Sequence, residues 1–181
     1  MCIRDRSKGL YITDPLQIRP AIPQDAEGIS RVLTAIIVSW NSDRACDPAY
    51  VASHYIAAAD QLTCTVALDP HRDGMVLGFQ SLKLAQVKNI YDVAPGWGVI
   101  GTYVAPDTGR KGIGRRLFDA TLAIAQQVGL ADIDATIGAD NAPGLAYYDA
   151  MGFETYQRRE TSVSKRFTVR VQSGLYRSKT R

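Results

Sequence analysis

Gly109-Arg110-Lys111-Gly112-Ile113-Gly114 lies between a run rich in Val, Ile and Tyr, Trp97 to Ala105, and a stretch in which Ile113, Leu117, Ala120, Ile124 and Val128 recur every three or four positions. The first pattern predicts a strand that stops at Pro106-Asp107-Thr108-Gly109, and the second an amphipathic helix closed by Gly129. The unit is therefore strand, glycine-rich loop, helix. Glycine lets a backbone come close to a ligand, the first N–H groups of a helix have no internal partner, and the helix dipole adds positive potential. Such a loop can hold a phosphate, with Arg110 and Lys111 as counter-charge, or it can be a tight turn and nothing more. It is not a Walker A loop, because no Gly-Lys-Ser/Thr ends it. Nor is it a dinucleotide fingerprint, because Leu117 stands where the last glycine is needed.

Working outward, Gln17-Ile18-Arg19-Pro20 reads as a short strand ended by proline, which removes an N–H donor. From Gln24 the residues Ile29, Val32, Leu33, Ile36 and Ile37 share one face of a 3.6-residue period, with Asp25 and Glu27 acidic in the first turn. A weaker helical pattern, Val51, Ala52, Tyr55, Ile56 and Ala59, runs from about Pro48 to Asp60, with Tyr50 beside it. Thr63 to Leu68 and the apolar run Met75 to Leu84 flank the turn cluster Asp69 to Gly74 and predict a hairpin. Downstream, Asp132 to Ile137 alternates as a half-buried strand does. A helix N-capped by Asn141, with Pro143 in its first turn and Gly152 at its end, comes next. Phe153 to Arg159 and Arg166 to Val171 are the last two predicted strands. The order β, α, α, β, β, β, α, β, α, β, β implies an α/β or α+β mixed sheet.

Composition narrows the function classes. Of 181 residues, 46% are hydrophobic and 22% charged, as in a folded globular protein rather than a disordered or collagenous one. Residues 1–15 are expected to be a disordered extension, 16–172 a single domain and 173–181 a basic tail. The longest uncharged stretch, Val93 to Pro106, is too short and too rich in glycine and proline to span a membrane. Cys2, Cys46 and Cys64 form no CxxC pair, and their odd number suits a reducing compartment, so the cytoplasm is the expected location. His54 and His71 belong to no metal-binding motif, so no metal is assigned. Net charge is +3, with eight bases against Glu160 alone from Arg158 to Arg181. Nucleic-acid binding through that tail ranks last, because its bases are scattered with only Phe167 and Tyr176 as aromatics.

A second segment, Asn141-Ala142-Pro143-Gly144-Leu145-Ala146-Tyr147-Tyr148-Asp149-Ala150-Met151-Gly152-Phe153, changes the weight of the first. With Val104-Ala105-Pro106 before the loop, and Ile18-Arg19-Pro20-Ala21 and Asp25 at the start, the chain from about Ile18 to Phe153 resembles the GNAT superfamily of acetyl-CoA-dependent N-acetyltransferases. Those proteins pair a glycine-rich phosphate loop after a V-x-P strand end with a later N-x-x-A-x-x-x-Y-x-x-x-G-F helix. The resemblance implies a mixed, mostly antiparallel central sheet flanked by helices. It implies acetyl-CoA as co-substrate and a small-molecule or peptide amine as acceptor, attacked directly in a ternary complex. It leaves a homodimer open, since members often form one.

By the same resemblance, the loop Gly109, Arg110, Lys111, Gly112, Ile113 and Gly114 binds the CoA diphosphate. The strand edge at Tyr103 and Val104 pairs with the pantetheine arm. Asn141 contacts that arm, or is simply an N-cap. Tyr148 takes the general-acid position for the departing thiolate, with Tyr147 its nearest rival and core packing the plain alternative. The Val104 N–H is placed to polarise the acyl carbonyl. Three positions depart from the pattern. Gly109 stands where the family has Arg or Gln, Gly144 replaces its alanine, and Trp97 to Ala105 contains no acid where many members carry a basic glutamate. Asp92 is nearby in sequence, and the base is left unassigned. Trp40, the Tyr50 to Tyr55 stretch and Asn89 to Trp97 are candidate acceptor walls or ordinary core. A non-catalytic acyl-CoA-binding domain is the alternative reading, and the acceptor amine is not specified.

Overall fold

The computed structural model describes residues 16–108 and 112–170. Its elements follow the predicted order: β1 (Gln17–Pro20), α1 (Ala26–Ser39), α2 (Pro48–Val51), β2 (Gln61–Asp69), β3 (Met75–Leu84), β4 (Gly98–Val104), α3 (Ile113–Gln127), β5 (Asp132–Gly138), α4 (Ala142–Ala150), β6 (Glu154–Arg158) and β7 (Ser162–Thr168). The strands form one sheet in the order β1-β2-β3-β4-β5-β7-β6, antiparallel everywhere except between β4 and β5. This is the mixed, mostly antiparallel sheet with flanking helices that the resemblance implied. The expected extension and tail, and the loop residues Gly109, Arg110 and Lys111, lie outside the described residues.

Strand periodicity assigns the two faces. On β2 and β3, Val66, Leu68 and Phe79 pack with Ile29, Leu33 and Ile37 of α1, while Ala67 and Leu77 pack with Ile113 and Leu117 of α3. Further along, Leu82, Ile100, Ile133 and Ala135 bury against Phe118 and Ala125 of α3 and Tyr148 of α4. Each fully buried aliphatic side chain here contributes about 1.5–3 kcal/mol through removal from water. The entry to α1 is locked by Asp25, whose carboxylate accepts from Arg19 at 2.7 and 2.9 Å and from the Ile22 N–H at 2.8 Å. Burial pushes this carboxyl up, but the Arg19 and Ile22 bonds outweigh it and hold it below its ordinary value.

Two elements differ from their sequence expectation. The second helix is one α-turn, Pro48–Val51, followed by a wide π-turn, Ala52–Ile56, and it stops before Asp60. In the widened turn Tyr50 stacks on His54 at 4.8 Å, and both meet Tyr55 edge-on. The last strand is Ser162–Thr168, not Arg166 to Val171. It runs inside the sheet between β5 and β6, so Val163, Ser164 and Lys165 are all buried. Their polar groups are satisfied through space, Ser164 by Thr136 and Lys165 by Asp149, which hides the strand from a pattern reading. No helix among the described residues is long and apolar enough to cross a membrane.

Candidate active site

The sheet opens at one place. β4 and β5 pair only at Gly98 with Ile133 and Val99 with Asp134. A Cβ on Gly98 would lie 2.9 Å from both Leu82 and Leu130, so glycine permits the close approach at that end. Past Val99 the two strands part, leaving one edge of β4 without a strand partner. The gap is a cleft of about 620 Å³, bounded by that edge, by the start of α4 with Tyr147 and Tyr148, and by Trp40, Arg44, His54 and Tyr55 from the other face. Its size suits a small-molecule site. A second hollow of about 660 Å³, by Gln126, Tyr156 and Arg166, includes none of the candidate site residues.

Peptide direction alternates along a strand, and the Ala105 N–H donates to Leu77 O of β3 at 2.9 Å. The N–H and C=O of Val104 and Thr102 therefore point to the open edge, where an amide-bearing arm can add as a strand. Tyr103 is corrected in its mode of contact: its peptide groups turn to β3, and its ring lies on the α1 face, stacked on Phe79 at 4.6 Å.

At the head of the cleft, Gly112 caps α3 in the left-handed region, φ 67°, which disfavours any side chain. The first helical bond is Arg116 N–H to Gly112 O, so the N–H groups of Ile113, Gly114 and Arg115 precede the ladder. Ile113 offers only its backbone, because its side chain is buried in the core. A Cβ on Gly114 would lie 2.7 Å from the Tyr147 ring, and the Tyr147 hydroxyl donates to Gly114 O at 2.8 Å. Tyr147 thus ties α4 to the start of α3. Asn141 caps α4, accepting from the Gly144 N–H at 3.0 Å, and also lines the cleft.

Tyr148 is 6% exposed, and its hydroxyl lies 3.0 Å from Thr102 Oγ1. Gln80 Nε2, on β3, donates to the same Thr102 oxygen at 2.7 Å and to the Tyr147 hydroxyl at 3.2 Å. A chain of bonds follows: the amide gives to Thr102 and Tyr147, Tyr147 gives to Gly114, and Thr102 and Tyr148 share a bond in which either hydroxyl can donate. The amide's donation to Thr102 favours Thr102 as that donor, which leaves the Tyr148 proton available to the cleft. Burial raises the Tyr148 pKa well above that of a free phenol, against the opposing effect of Thr102, so it is protonated at neutral pH.

The model of the acetyltransferase (GNAT) family matches residues 34–153. The chain belongs to the GNAT acetyltransferase family. Among solved structures, yncA from Salmonella typhimurium with its cofactor acetyl-CoA is similar at TM-score 0.70 and 19% identity, over 88% of this chain and 97% of that one. A GNAT family acetyltransferase from Brucella melitensis in complex with acetyl-CoA gives TM-score 0.61 at 24% identity, over 84% and 87%. The ribosomal-protein-S18-alanine N-acetyltransferase of Escherichia coli gives 0.64 at 17%, over 89% and 99%. No curated protein matches the chain by sequence.

The other half of the cleft in this GNAT domain carries residues that sequence reasoning missed. Arg44, in the loop after α1, donates to the Tyr55 hydroxyl and, at 3.4 Å, to the Tyr103 hydroxyl. Burial lowers the Arg44 pKa and the tyrosine oxygens raise it more, so it stays charged. His54 is shifted down by burial and by the nearby charges of Lys83 and Arg44. Trp40 and Tyr91 do wall the cleft, as one of their two sequence readings had it. Among the described residues no Asp or Glu lines it, so the base is still unassigned. Gln80, Thr102 and Arg44 gave no sequence signal, since each acts on partners at least 11 positions away.

Proposed function

We propose that this protein transfers the acetyl group of acetyl-CoA to a primary amine by direct attack in a ternary complex. The observation that carries the reading is the unpaired edge of β4, set between the glycine-capped start of α3 and the buried Tyr148. Acetyl-CoA supplies the activated thioester. The N–H groups of Ile113 and Gly114 are suited to its diphosphate, with Arg110 and Lys111 as counter-charge, and the peptide groups of Thr102 and Val104 to its amide arm. The Val104 N–H suits the acyl oxygen. Asn141 borders the arm while capping α4.

In the reaction a C–N bond forms, a C–S bond breaks, the amine loses one proton and the sulfur gains one. Tyr148 hydrogen-bonds the sulfur as negative charge gathers there. Complete transfer from a phenol above pH 10 to a thiolate of pKa about 8.5 is uphill. The phenol therefore stabilises the leaving group, and the proton shed by the amine restores the balance. With no carboxylate among the described residues of the lining, the attacking species is the fraction of amine already neutral in solution.

Release of CoA thiol across a panel of amines tests the proposal, with Tyr148→Phe expected to lose about 100-fold in kcat. The second reading, an acyl-CoA-binding domain without turnover, is favoured by a lining without acids among the described residues and by Gly109 at the head of the loop. CoA-induced thermal stabilisation with no thiol release from any amine would establish it instead.

A further inference from the structure

We infer that the acceptor carries an anionic group beside its amine, a carboxylate as in an amino acid, and that the Arg44 guanidinium receives it; the inference rests on the acetyl-transfer reading. Among the described residues no Asp or Glu pairs with Arg44. Three other sheltered cations do have such partners: Arg19 sits on Asp25, Lys83 on Asp60 and Lys165 on Asp149. Removing a cation from water without an opposite charge is costly, so an unpaired guanidinium facing a cleft is a vacancy in the electrostatics. Arg44 is also held in place. It lies over the rings of Tyr55 and Tyr103, 5.9 and 6.0 Å from their centroids, and bonds both hydroxyls. A guanidinium so positioned retains further N–H donors in a planar fork that matches a carboxylate.

The surroundings agree. Lys83, paired with Asp60, also borders the cleft, His54 is kept toward its neutral form, and no acid lines it among the described residues. A polycationic amine such as a polyamine or aminoglycoside would meet repulsion there. Position agrees as well. Arg44 and Tyr148 line the same cleft, from opposite faces of β4, across the gap where β4 and β5 part. An amine and a carboxylate on one small molecule can therefore face the acyl group and the guanidinium from within one cleft.

The test compares free α-amino acids with their carboxamides and their decarboxylated amines, by thiol release, in wild type, Arg44→Gln and Arg44→Lys. Calorimetry of CoA binding runs in parallel. The carboxamides have less basic amines, so chemistry alone favours them. Wild type is expected to prefer at least one free acid over its carboxamide by roughly 10- to 100-fold in kcat/KM. Arg44→Gln should erase that preference mainly through KM, Arg44→Lys should restore part of it, and CoA affinity should be unchanged. Equal rates on acids and amides, or a preference that survives in Arg44→Gln, would overturn the inference while leaving acetyl transfer intact. Loss of CoA affinity in Arg44→Gln would assign the guanidinium to the co-substrate and overturn it too. CoA binding without turnover on any amine would instead overturn acetyl transfer, and this inference with it.

Discussion

Replacing Gln80 with Met removes the donor that orients the bond chain at Tyr148 while keeping the volume of the side chain. Thr102 Oγ1 accepts from Gln80 at 2.7 Å, which favours its own proton as the one in the 3.0 Å bond with Tyr148. Without the amide, the Thr102 oxygen lacks a donor, and the Tyr148 O–H turns to it. That bond must then be broken before Tyr148 can reach sulfur. A neutral hydrogen bond is worth about 1–1.5 kcal/mol, so kcat should fall roughly 5- to 12-fold. Folding stability should move by less than about 1 kcal/mol. Two hydrogen bonds are lost, but Gln80 Oε1, buried without a partner among the described residues, is removed as well. The assay is initial-rate thiol release at saturating acetyl-CoA and acceptor, in a cycle with Tyr148→Phe, alongside urea unfolding of each variant. If Gln80 acts through Tyr148, Gln80→Met costs nothing further in the Tyr148→Phe background. The same fold loss in both backgrounds, or an unchanged kcat in Gln80→Met alone, refutes the chain of donors.

Other perturbations have equally definite outcomes. Gly112→Ala forces a side chain into the left-handed region at φ 67°, which should cost about 1–2 kcal/mol of stability and weaken CoA binding, measurable by thermal unfolding with and without CoA. Gly114→Ala puts a Cβ 2.7 Å from the Tyr147 ring, so CoA affinity should drop more than stability does; titration calorimetry would detect it, and unchanged affinity would exclude the contact. Because the Asp25 carboxyl is held below its ordinary value, its contribution is present above about pH 4 and is lost as pH falls through the depressed pKa. Asp25→Asn should therefore be less stable than wild type at pH 7, with the gap closing in acid. Burial raises the Cys64 thiol to about 12, so at pH 8 it should resist alkylation until the protein unfolds, as peptide mass mapping would report.

How much was legible in advance depends on what each residue answers to. Ile29, Val32, Leu33, Ile36 and Ile37 declare α1 because one helix face is buried against the sheet, and periodicity is the direct imprint of that burial. Met75–Leu84 declares β3 with both ends correct, because the turn at Asp69 to Gly74 and the apolar run coincide. The start of β7 was missed for the opposite reason. Val163, Ser164 and Lys165 are covered on both faces and satisfied by Thr136 and Asp149 from other elements, so burial left no pattern in the local sequence.

The order of elements, the glycine-capped start of α3 and the helix holding the two tyrosines were determined by sequence alone, because backbone conformation, capping and burial period are local demands that each residue meets where it stands. The tertiary structure decided where β4 and β5 part, which peptide groups of β4 face the opening, which tyrosine has its proton committed to Gly114, and that Arg44 stands among tyrosines with no carboxylate partner among the described residues. Those are matters of direction and of charge balance between groups far apart in the chain, and they take definite values only once the sheet has brought the groups together.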